Sequence, residues 1–446
     1  MFEPLYTADE MKAAEAGHDV EALMERAGRA VAETALERFP DARRFACVCG
    51  KGANGGDGRI AARILREAGR EAEETDDPAG ADVVVDALFG TGFRGEPRAE
   101  AAGLIEAMNA SGAPVLAVDV PSGVDASSGE TAGPSVRAAV TVTFHGAKVG
   151  HHVAPGRFHR GELVLADIGL QPAATQHRAV TREILRLVPR KRPEDTKYTA
   201  GAVLVVGGAP GLTGAACLAA EAAFRADAGY VAVAVPEASL AAVEARLLEP
   251  VKVSWSSVGE VTAKAGAAAI GPGLGRSAEA RALLRSLLAE LDVPVVLDAD
   301  ALFELEPFER DAPTVLTPHT GELARLLGES SEWVAAHRLA AVRRAVDAHG
   351  CTVLLKGADT LVAAPGEGVL VAGAGPPSLA SAGTGDVLTG IVASFLAKGL
   401  EPGLAAAAAA TLHALAARRG PSAGLVAGDL ISLLPATLVE ATSWSV

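Results

Sequence analysis

Short apolar runs alternate with longer, helix-periodic segments along most of the chain, and this alternation occurs in two series. In the first series the apolar runs predict strands at 44–49, 82–89, 114–120, 140–144 and 162–167. Helices are predicted to begin near Asp57 and between Pro97 and Ala110. Buried strands separated by helices are typical of a parallel sheet with helices on both faces. The pattern therefore predicts an α/β domain.

The second series begins after residues 171–201, where proline, charge and weak periodicity predict a linker. Its apolar runs predict strands at 202–208, 230–236, 267–273, 293–300, 313–319, 351–357 and 359–365. We expect an α/β protein with two three-layer αβα domains, at 1–178 and 190–446. Because ligands bind outside the carboxyl ends of the strands in such sheets, the chemistry is expected in the loops that follow these runs.

Composition and charge narrow the class of protein. A length of 446 residues exceeds what one hydrophobic core supports, which agrees with two domains. The net charge of -15 argues against nucleic-acid or anionic-membrane partners. Four cysteines and the histidines of GHHVAPGRFHR lack metal-ligand spacing, which favours buried thiols and loop histidines. The N-terminus lacks the apolar core of a signal peptide, and the alanine-rich run 404–419 is predicted to be a buried helix, so we expect a cytoplasmic protein.

The stretch CGKGANGGDG has the glycine spacing of a dinucleotide-binding loop, but it also carries an acid at Asp57. A carboxylate at a helix N-terminus would repel a pyrophosphate by on the order of a few kcal/mol, which disfavours a dehydrogenase fingerprint. Oxygen donors at Asn54, Asp86 and Ser122 instead indicate a cation site beside the glycine-rich amides. For Asp57 and Asp119, a role as helix caps is an equally good interpretation.

A second glycine turn, Gly383 to Gly385, opens a long apolar segment. Backbone amides at a helix N-terminus form an anion site, and Asp386 lies in the first turn, where it can reach a substrate hydroxyl. A carboxylate beside an anion site fits phosphoryl transfer, in which the acid accepts the hydroxyl proton. The alternative is that Asp386 only complements the helix dipole, a contribution of roughly 0.3 to 1 kcal/mol.

Six motifs of the N-terminal half occur in the order MERAGRAVAE, GKGANGGDG, DALFGTG, VDVPSGVDASSG, TVTFHGAKVG and GELVLADIG. Together they resemble the NAD(P)H-hydrate epimerase family, which implies a Rossmann-like domain that interconverts the R and S forms of NADHX and NADPHX. The resemblance implies a K+ ion held by Asn54, Asp86 and Ser122. It also implies contacts to the hydrated cofactor from Ala53, Asn54, Gly55, Gly56, Asp57, Gly90, Thr91, Gly92, Phe93, Arg94, Gly95, Glu96 and Asp119.

Asp119 is the candidate catalytic, proton-transfer group of this half. Lys148 is a second candidate, although it is equally well interpreted as a solvated loop lysine. Ala53 stands where the family commonly has asparagine, which removes one side-chain amide, and the span from Gly58 to Asp86 is shorter than usual. Either departure is expected to weaken the epimerase activity or abolish it.

The C-terminal half contains GAPGLTGAACLAAEAAFRADAG, GPGLG, VVLDADAL, TPHTGEL, LLKGADT and GTGD, each at or just after a predicted strand. These motifs resemble the ribokinase-like fold and, more closely, the ADP-dependent NAD(P)H-hydrate dehydratase family. The resemblance implies that Asp386 is the catalytic acid and base, and that Ala216, Gly273 and His319 contact the hydrated cofactor. It implies ADP contacts from Lys356, Gly357, Ala358, Asp359, Thr360, Ser381, Gly383, Thr384 and Gly385.

Three further acids of this half keep two interpretations each. Glu322 either helps to place Mg2+ through water or supports the start of a helix. Asp298 and Asp300 follow a predicted strand and are either structural acids or part of the site lining. The segments DTKY and RADAG also differ from the family's usual HKG and RAGAG, and we interpret these differences as peripheral.

The two resemblances together imply one polypeptide that epimerises R- and S-NAD(P)HX and dehydrates the S form with ADP, releasing AMP and phosphate. The alternative is a ribokinase-like kinase of a small alcohol whose N-terminal domain only binds a ligand. The expected partners are small molecules, NADHX or NADPHX and ADP, with no nucleic acid and no membrane. We also expect a homo-oligomer.

Overall fold

A computed structural model describes residues 1–373 and 375–442, and the chain divides into two compact units. The N-terminal unit comprises Pro4–Arg178 together with Ala335–Arg338. The C-terminal unit comprises Met1–Glu3, Ala179–Val334 and the chain from Leu339 onward. The boundary at Arg178 leaves the residues predicted as a linker mostly within the C-terminal unit.

The chain begins with β1 (Phe2–Tyr6), and the elements up to residue 166 follow in order. They are α1 (Ala8–Glu15), α2 (Val20–Arg38), β2 (Arg44–Cys49), α3 (Ala53–Glu67), β3 (Glu71–Glu74), β4 (Val83–Ala87), α4 (Ala99–Ala110), β5 (Val115–Val118), β6 (Val140–Phe144), β7 (Ala147–Lys148) and β8 (Glu162–Ala166).

Six of these strands form a parallel sheet in the order β3-β2-β4-β5-β6-β8. Alternate residues of β4 face opposite sides of the sheet: Val83 and Val85 pack in one hydrophobic cluster with α2 and α3, and Val84 packs in another with α4. The predicted three-layer arrangement is therefore present. Because the strands are parallel, Asp86 in β4 and Asp119 directly after β5 reach the same edge.

Three details of this unit differ from the sequence prediction. Helix α3 begins at Ala53, four residues before the predicted start near Asp57, because the glycines that lower helix propensity lie inside its first turns. Strand β3 was not predicted, since its sequence EAEE has no apolar run and buries only Ala72. A short parallel pair of β1 with β7, which aligns Tyr6 with Lys148, was also missed.

The elements from residue 177 onward belong mostly to the C-terminal unit. They are β9 (His177–Val180), β10 (Ala202–Val206), α5 (Thr213–Arg225), β11 (Tyr230–Val235), α6 (Leu240–Arg246), β12 (Val251–Ser254), α7 (Gly259–Thr262), β13 (Ala267–Ile270), α8 (Ala278–Glu290), β14 (Val295–Leu297), β15 (Thr314–Leu316), α9 (Thr320–Leu327), α10 (Ser331–Ala336), α11 (Arg338–His349), β16 (Thr352–Leu355), β17 (Thr360–Ala363), β18 (Val369–Ala372), α12 (Thr384–Ala397), α13 (Pro402–Arg419) and α14 (Ala427–Thr442).

The sheet of this unit runs β12-β11-β10-β13-β14-β15-β16-β17-β18. It is parallel from β12 to β16, and β17 and β18 complete it as antiparallel strands. Strands β12 and β18 were not predicted. Helices α5, α12 and α13 share one large hydrophobic cluster with the strands, in which alanines allow the helices to pack closely.

The prediction of a linker over residues 171–201 is wrong for its middle part. This part contains β9 and a 3-10 helix at Arg182–Leu187, and Ile184 and Leu185 are fully buried. Proline, charge and weak periodicity in the surrounding sequence concealed this packing. The alanine-rich helix α13 is buried, as predicted. No helix within residues 1–373 and 375–442 has the length and apolarity that crossing a membrane requires.

Candidate active sites

The first candidate site lies at the turn between β2 and α3. Gly52 is the N-cap of α3, and no side chain caps the first amides of this helix. Gly55 is required by a close approach, because a Cβ atom there would lie 1.9 Å from the backbone oxygen of Gly50. Ala53 is exposed, and Asn54 is half-buried. The turn therefore presents helix N-terminal amides to a ligand.

A buried carboxylate and a hydroxyl lie behind this turn. Asp86 is fully buried, and its Oδ1 accepts a hydrogen bond from Ser122 Oγ at 2.6 Å while its Oδ2 accepts one from Ser122 N at 2.8 Å. Burial raises the pKa of Asp86 to about 6, although the hydrogen bonds from Ser122 and Leu88 oppose the rise. A nearby cation would stabilise the ionised form of Asp86.

The side-chain amide of Asn54 is a further candidate ligand of such a cation. Its Nδ2 atom is buried and lacks a hydrogen-bond partner within the described residues. The backbone of Phe89 and Gly90 lies close to both this amide and Ser122: a Cβ on Gly90 would lie 2.9 Å from Asn54 Oδ1, and Phe89 N donates to Ser122 Oγ at 2.9 Å. Since the amide oxygen and nitrogen can exchange places, Asn54 can present an oxygen instead. An amide, a carboxylate and a hydroxyl therefore fit a hard cation such as K+.

The loop 90–96 follows this cluster. Its Phe93 ring stacks on Phe89 with 4.7 Å between ring centroids, which fixes the apolar side of the loop. Arg94 is exposed and forms an ion pair with Asp9 at 3.1 Å. The loop is mostly exposed, so its backbone and the Arg94 side chain are accessible to a ligand.

Asp119 lies directly after β5 in a left-handed conformation, with φ of 66°. Such a conformation is costly for a residue other than glycine and is often retained at functional sites. Its Oδ1 forms an ion pair with Lys148 Nζ at 2.7 Å and accepts a hydrogen bond from Thr143 Oγ1 at 3.1 Å. Lys148 is fully buried, so its interpretation as a solvated loop lysine is wrong.

Neither acid that was considered as a helix cap occupies a cap position. Asp57 lies inside α3, whose N-cap is Gly52, and Asp119 follows a strand. Burial raises the pKa of Asp57 to about 8, and the charges of Asp119 and Glu15 add to the rise. Asp57 is therefore mostly protonated at neutral pH, and it does not repel a pyrophosphate as an ionised carboxylate would.

His151 is a part of this site that the sequence prediction missed. It lies in a 3-10 helix at Val149–His151 and is fully buried, so it is not an ordinary loop residue. Its Nδ1 accepts a hydrogen bond from Lys148 N at 3.0 Å, which leaves Nε2 to donate to Asp119 O at 2.9 Å. Burial lowers the pKa of His151 well below its usual value, which keeps the ring neutral.

The second candidate site lies at the N-terminus of α12. Gly383 is the N-cap with φ of 89°, a left-handed conformation that favours glycine. Asp386 lies in the first turn, and burial raises its pKa to about 7. The charge of Asp298 adds to this rise, whereas the charge of Lys356 opposes it. A carboxyl group with a pKa near neutrality suits general acid–base catalysis.

Lys356 lies between two acids, Asp298 directly after β14 and Glu322 in the first turn of α9. Its Nζ is 2.7 Å from Asp298 Oδ1 and 3.8 Å from Glu322 Oε2. Burial alone would lower the pKa of Lys356, but Asp298 and Glu322 raise it above its usual value, so the ammonium stays charged. Asp298 is buried and also accepts a hydrogen bond from Thr389 Oγ1 at 2.6 Å. Asp298 is thus part of the cluster that includes Lys356.

The Asp300 side chain contacts the loop that follows β13 instead of Lys356. Its Oδ1 forms an ion pair with the exposed Arg276 at 3.0 Å, and its Oδ2 accepts a hydrogen bond from Gly275 N at 2.9 Å. These contacts support the structural interpretation of Asp300, because they hold the loop that follows β13.

A cavity of about 620 Å³ opens beside this cluster. Part of its wall is polar and contains seven of the residues that the sequence predicted for ligand binding: His319, Lys356, Gly357, Ala358, Thr360, Thr384 and Gly385. The remaining wall is largely apolar and includes Pro376, Pro377, Leu379, Leu388 and Ala410. A cavity with one polar and one apolar wall suits a nucleotide, whose phosphates and base differ in the same way.

The other predicted residues of this unit, which include Gly383 and Asp386, are not among the residues that line the cavity. Ala216 is fully buried in the hydrophobic core, so it is not accessible to a substrate in this conformation. Gly273 has φ of 61°, and a Cβ there would lie 2.4 Å from the backbone oxygen of Leu212. Asp359 is buried, and Ser381 Oγ donates to the backbone oxygen of Ser378 at 3.1 Å.

His319 and Glu322 form the start of α9. His319 Nδ1 accepts a hydrogen bond from Gly321 N at 3.0 Å, and Glu322 Oε2 accepts one from His319 N at 2.8 Å. This reciprocal arrangement is a capping box, which confirms a helix-start role for Glu322. The His319 side chain is 56% exposed, so its ring is accessible to a ligand although its Nε2 lies 3.5 Å from Glu322 Oε1.

His413 is a second residue that the sequence prediction did not assign to a site. It lies on α13, lines the cavity, and places its Nε2 2.8 Å from the backbone oxygen of Thr384. Burial lowers the pKa of His413 to about 4, so the neutral ring donates this hydrogen bond. An imidazole within an alanine-rich helix was the available signal.

In the described part of the chain, no group of three or more His, Cys, Asp or Glu side chains is arranged to hold a metal ion. Mg2+ is commonly held by one or two carboxylates, water and substrate phosphates, so Asp298, Glu322 and Asp386 still fit a Mg2+ that arrives with a nucleotide.

Comparison with known proteins covers both units. A family model described as NAD(P)H-hydrate dehydratase matches residues 203–437, and one described as YjeF-related protein N-terminus matches residues 20–74 and 70–150. The bifunctional NAD(P)H-hydrate repair enzyme Nnr of Moorella thermoacetica is 37% identical, over 93% of this chain and 92% of that protein. The chain belongs to the family of bifunctional NAD(P)H-hydrate repair enzymes.

Two solved structures support the ribokinase-like fold expected for the C-terminal unit of this family member. The ADP/ATP-dependent NAD(P)H-hydrate dehydratase of Bacillus subtilis, co-crystallised with ATP and Mg2+, has a TM-score of 0.54 and 29% identity, covering 58% of this chain and 97% of that chain. A ribokinase-like superfamily protein of Enterococcus faecalis has a TM-score of 0.54 and 28% identity, covering 61% and 98%. The predicted fold class is confirmed.

The N-terminal family match is interrupted where the sequence departs from the family. The two matched segments meet at residues 70–74, which include β3. This overlap lies between Gly58 and Asp86, the span that the sequence analysis predicts to be shorter than usual. Because β3 is the edge strand of its sheet, such a shortening is expected to affect that edge, whereas Asn54, Asp86 and Ser122 lie outside the overlap.

Proposed function

We propose that the chain repairs hydrated nicotinamide cofactors through two activities. The N-terminal unit interconverts the R and S forms of NADHX and NADPHX. The C-terminal unit dehydrates the S form with ADP and releases NADH or NADPH, AMP and phosphate. Membership of the bifunctional repair family supports both activities. We propose domain boundaries of 1–178 and 190–446 for them, and a homo-oligomeric assembly that light scattering would test.

The observation that carries the dehydratase activity is the position of Asp386. It lies in the first turn of α12 beside Gly385 and Thr384, which line the cavity, and its pKa is about 7. A hydroxyl group that binds there meets a carboxyl able to accept its proton at neutral pH. The amides at the start of α12 would stabilise the negative charge of a transferred phosphoryl group.

The dehydration follows from the poor leaving ability of hydroxide. Asp386 accepts the proton of the ring hydroxyl, whose oxygen attacks the β-phosphorus of ADP, and the bond from this phosphorus to the bridging oxygen breaks to release AMP. The ring phosphate then departs with the electrons of its C–O bond, and loss of a proton from the adjacent carbon restores the reduced nicotinamide ring. General-base assistance of this kind contributes roughly 10²- to 10⁴-fold.

The nucleotide site is proposed at the cavity wall that contains Lys356. The ammonium of Lys356 is held by Asp298 at 2.7 Å, so it is oriented before a phosphate arrives. Residues Gly357 to Thr360 and Ser381 to Gly385 would contact the nucleotide together with Lys356. When bound, Mg2+ would neutralise phosphate charge, and Glu322 and Asp298 are the acids placed to hold its water ligands.

For the epimerase we propose that Asp119 transfers the proton at the substrate. Its carboxylate is 11% exposed and is held by Lys148, so it is presented in one orientation. Asp57 lies nearby as a largely protonated acid at neutral pH, which lets the phosphate groups of the hydrated cofactor approach the glycine turn. The backbone of loop 90–96 and the residues from Ala53 to Asp57 would form the remaining contacts.

The proposed K+ ion would be held by Asn54, Asp86 and Ser122. When bound, K+ supplies positive charge that stabilises the ionised Asp86 and attracts the phosphates of the substrate. The unpartnered amide of Asn54 supports this assignment. Replacing K+ by a large organic cation in the buffer should therefore slow epimerisation and leave dehydration of the S form unchanged.

One experiment separates this function from its alternative. The protein is incubated with NADHX and ADP, and the near-ultraviolet absorbance of NADH is followed while AMP and phosphate are measured. Recovery of NADH in step with AMP supports repair. Phosphorylation of a small alcohol without such recovery would favour the kinase. R-NADHX presented without ADP tests the epimerase separately, and conversion no faster than in buffer would favour a non-catalytic N-terminal unit.

A further inference from the structure

Thr143 is a buried polar residue of the N-terminal unit that no part of the proposed reaction uses. It lies on β6 and is fully buried. Its hydroxyl donates to Asp119 Oδ1 at 3.1 Å and accepts from Lys148 Nζ at 2.8 Å. A single hydroxyl therefore contacts both charged groups of the ion pair at the candidate epimerase site.

The contacts of Lys148 show what its ammonium does. An ammonium group has three donors, and those of Lys148 reach Asp119 Oδ1 at 2.7 Å, Thr143 Oγ1 at 2.8 Å and Phe144 O at 2.9 Å. All three donors are thus used within the protein. Lys148 in its charged form has no donor left for a substrate, so it acts on the reaction through Asp119.

The described contacts of the Asp119 carboxylate go to one of its two oxygens. Within the described residues, the contacts from Lys148 and Thr143 both go to Oδ1. His151 holds the same residue from behind through its backbone oxygen, at 2.9 Å. Oδ2 is then the oxygen that remains for a substrate, and the orientation of Oδ2 depends on how firmly Oδ1 is held.

We propose that Thr143 is a positioning residue of the epimerase site, which fixes the Lys148 ammonium and the Asp119 carboxylate in one geometry through its hydroxyl. This inference rests on the proposed epimerase function. A small displacement of a reacting group is enough to slow a reaction by orders of magnitude, so loss of the hydroxyl should affect turnover more than binding.

The chain provides a matched control two residues earlier on the same strand. Thr141 is also fully buried on β6, and its hydroxyl donates to the backbone oxygen of Arg160 at 2.7 Å. Residues i and i+2 of a strand share a face, so the two threonines have similar surroundings. Replacement of either one by valine removes one buried hydroxyl, but only Thr143 contacts the ion pair.

The test compares four variants of the full chain with R-NADHX in the absence of ADP: Thr143→Val, Thr143→Ala, Thr143→Ser and Thr141→Val. We expect kcat for R-to-S conversion to fall at least about 10-fold in Thr143→Val and Thr143→Ala, with KM changed less than about 3-fold. Thr143→Ser, which keeps the hydroxyl, and Thr141→Val should stay within about 3-fold of the unmodified chain. Dehydration of S-NADHX with ADP by the same samples reports on the C-terminal unit.

The outcomes distinguish the proposed epimerase function from the positioning role of Thr143. If the unmodified chain does not accelerate R-to-S conversion, the proposed epimerase function fails, and this inference fails with it. If the unmodified chain is active and Thr143→Val turns over normally, or Thr141→Val is equally slow, only the positioning role of Thr143 is overturned. A Thr143→Val and a Thr143→Ala protein that both lack a folded N-terminal unit would assign Thr143 a structural role instead.

Discussion

The two candidate sites use the same components in different pairings. Each places acids after parallel strands, a glycine turn at a helix N-terminus, and one buried or partly buried lysine among the acids. In the N-terminal unit, Lys148 is bound directly to Asp119, the proposed proton-transfer group. In the C-terminal unit, Lys356 is bound to Asp298, and Asp386 is left as a separate carboxyl with a pKa of about 7.

This difference shows how the partner of a lysine determines the role of each carboxylate. An acid that is bound to an ammonium, such as Asp119 or Asp298, is held in a fixed orientation. An acid that is buried without such a bond, such as Asp386 or Asp57, has a raised pKa and can exchange a proton near neutrality. The proposed roles of nucleotide binding and proton transfer thus fall on separate groups in the C-terminal site, whereas the N-terminal site combines orientation and charge in one pair.

Removal of the Asp386 carboxyl from the C-terminal site is expected to have the largest effect on activity. Asp386→Asn keeps the size of the side chain but removes the base, so dehydration of S-NADHX should fall at least about 10²-fold while epimerisation by the same protein is unchanged. The rate of NADH recovery with ADP measures the first activity, and chromatographic separation of R- and S-NADHX measures the second.

Asp429→Asn is the matched control for this variant. Asp429 is a first-turn acid of α14, as Asp386 is of α12, so it has the same relation to a helix dipole. Dehydration by Asp429→Asn should stay within about 3-fold of the unmodified chain. Near-normal turnover by Asp386→Asn would show that Asp386 only complements the dipole.

The pH dependence of dehydration tests the same role of Asp386. Because Asp386 acts as a base only when ionised, and its pKa is about 7, kcat/KM should rise about tenfold per pH unit below that value and level off above it. The residual activity of Asp386→Asn should lack this acid limb. A limb of the same midpoint in both proteins would assign the titration to another group.

The fold of each unit was largely predictable because the sequence patterns of buried parallel strands are strong. The run RFACVC coincides with β2, and VTVTF coincides with β6. The elements that were missed lack such a pattern: β3 is the acid-rich edge strand EAEE, and β7 has two residues. The packing of Ile184 and Leu185 was also missed, since burial by distant elements leaves no local periodicity.

The candidate sites were predictable where a motif carries the chemistry, and less so where a supporting residue does. The GTGD turn and the LLKGADT segment pointed to Asp386 and Lys356, which the structure brings into one cluster. Thr143, His151 and His413 were not assigned to a site, because their importance depends on which backbone or carboxylate atom they contact. Such contacts depend on tertiary structure, and sequence spacing does not specify them.

Ala53 allows the N-terminal site to be tested by adding an amide side chain. It is the first residue of α3 and is exposed beside the glycine turn, at a position where the sequence resemblance predicts asparagine. Ala53→Asn restores one amide, and a single hydrogen bond to the substrate contributes about 0.5–1.5 kcal/mol. Epimerisation of R-NADHX should therefore become about 2- to 10-fold more efficient in kcat/KM. An unchanged rate would show that the turn functions without this amide.

The smallest expected effect concerns stability and Asp57. The pKa of Asp57 is about 8 in the folded chain and near 3.8 without the fold, so the folded state binds an extra proton between these values. Stability is then lost as the pH rises through this window, because the unfolded state binds fewer protons there. Asp57→Asn removes this titration without changing the size of the side chain.

Asp57→Asn should therefore be more stable than the unmodified chain at alkaline pH, and the difference should grow from about pH 4 to about pH 8 and then remain constant. Thermal unfolding of the N-terminal unit measures this, with an expected gain of about 2 °C or more on the alkaline side. Asp41→Asn, an exposed aspartate of the same unit, should show no comparable gain. Equal stability of the Asp57→Asn and Asp41→Asn variants at every pH would mean that Asp57 is ionised in the folded chain. The glycine turn would then need the proposed cation beside Asp86 to accept a phosphate.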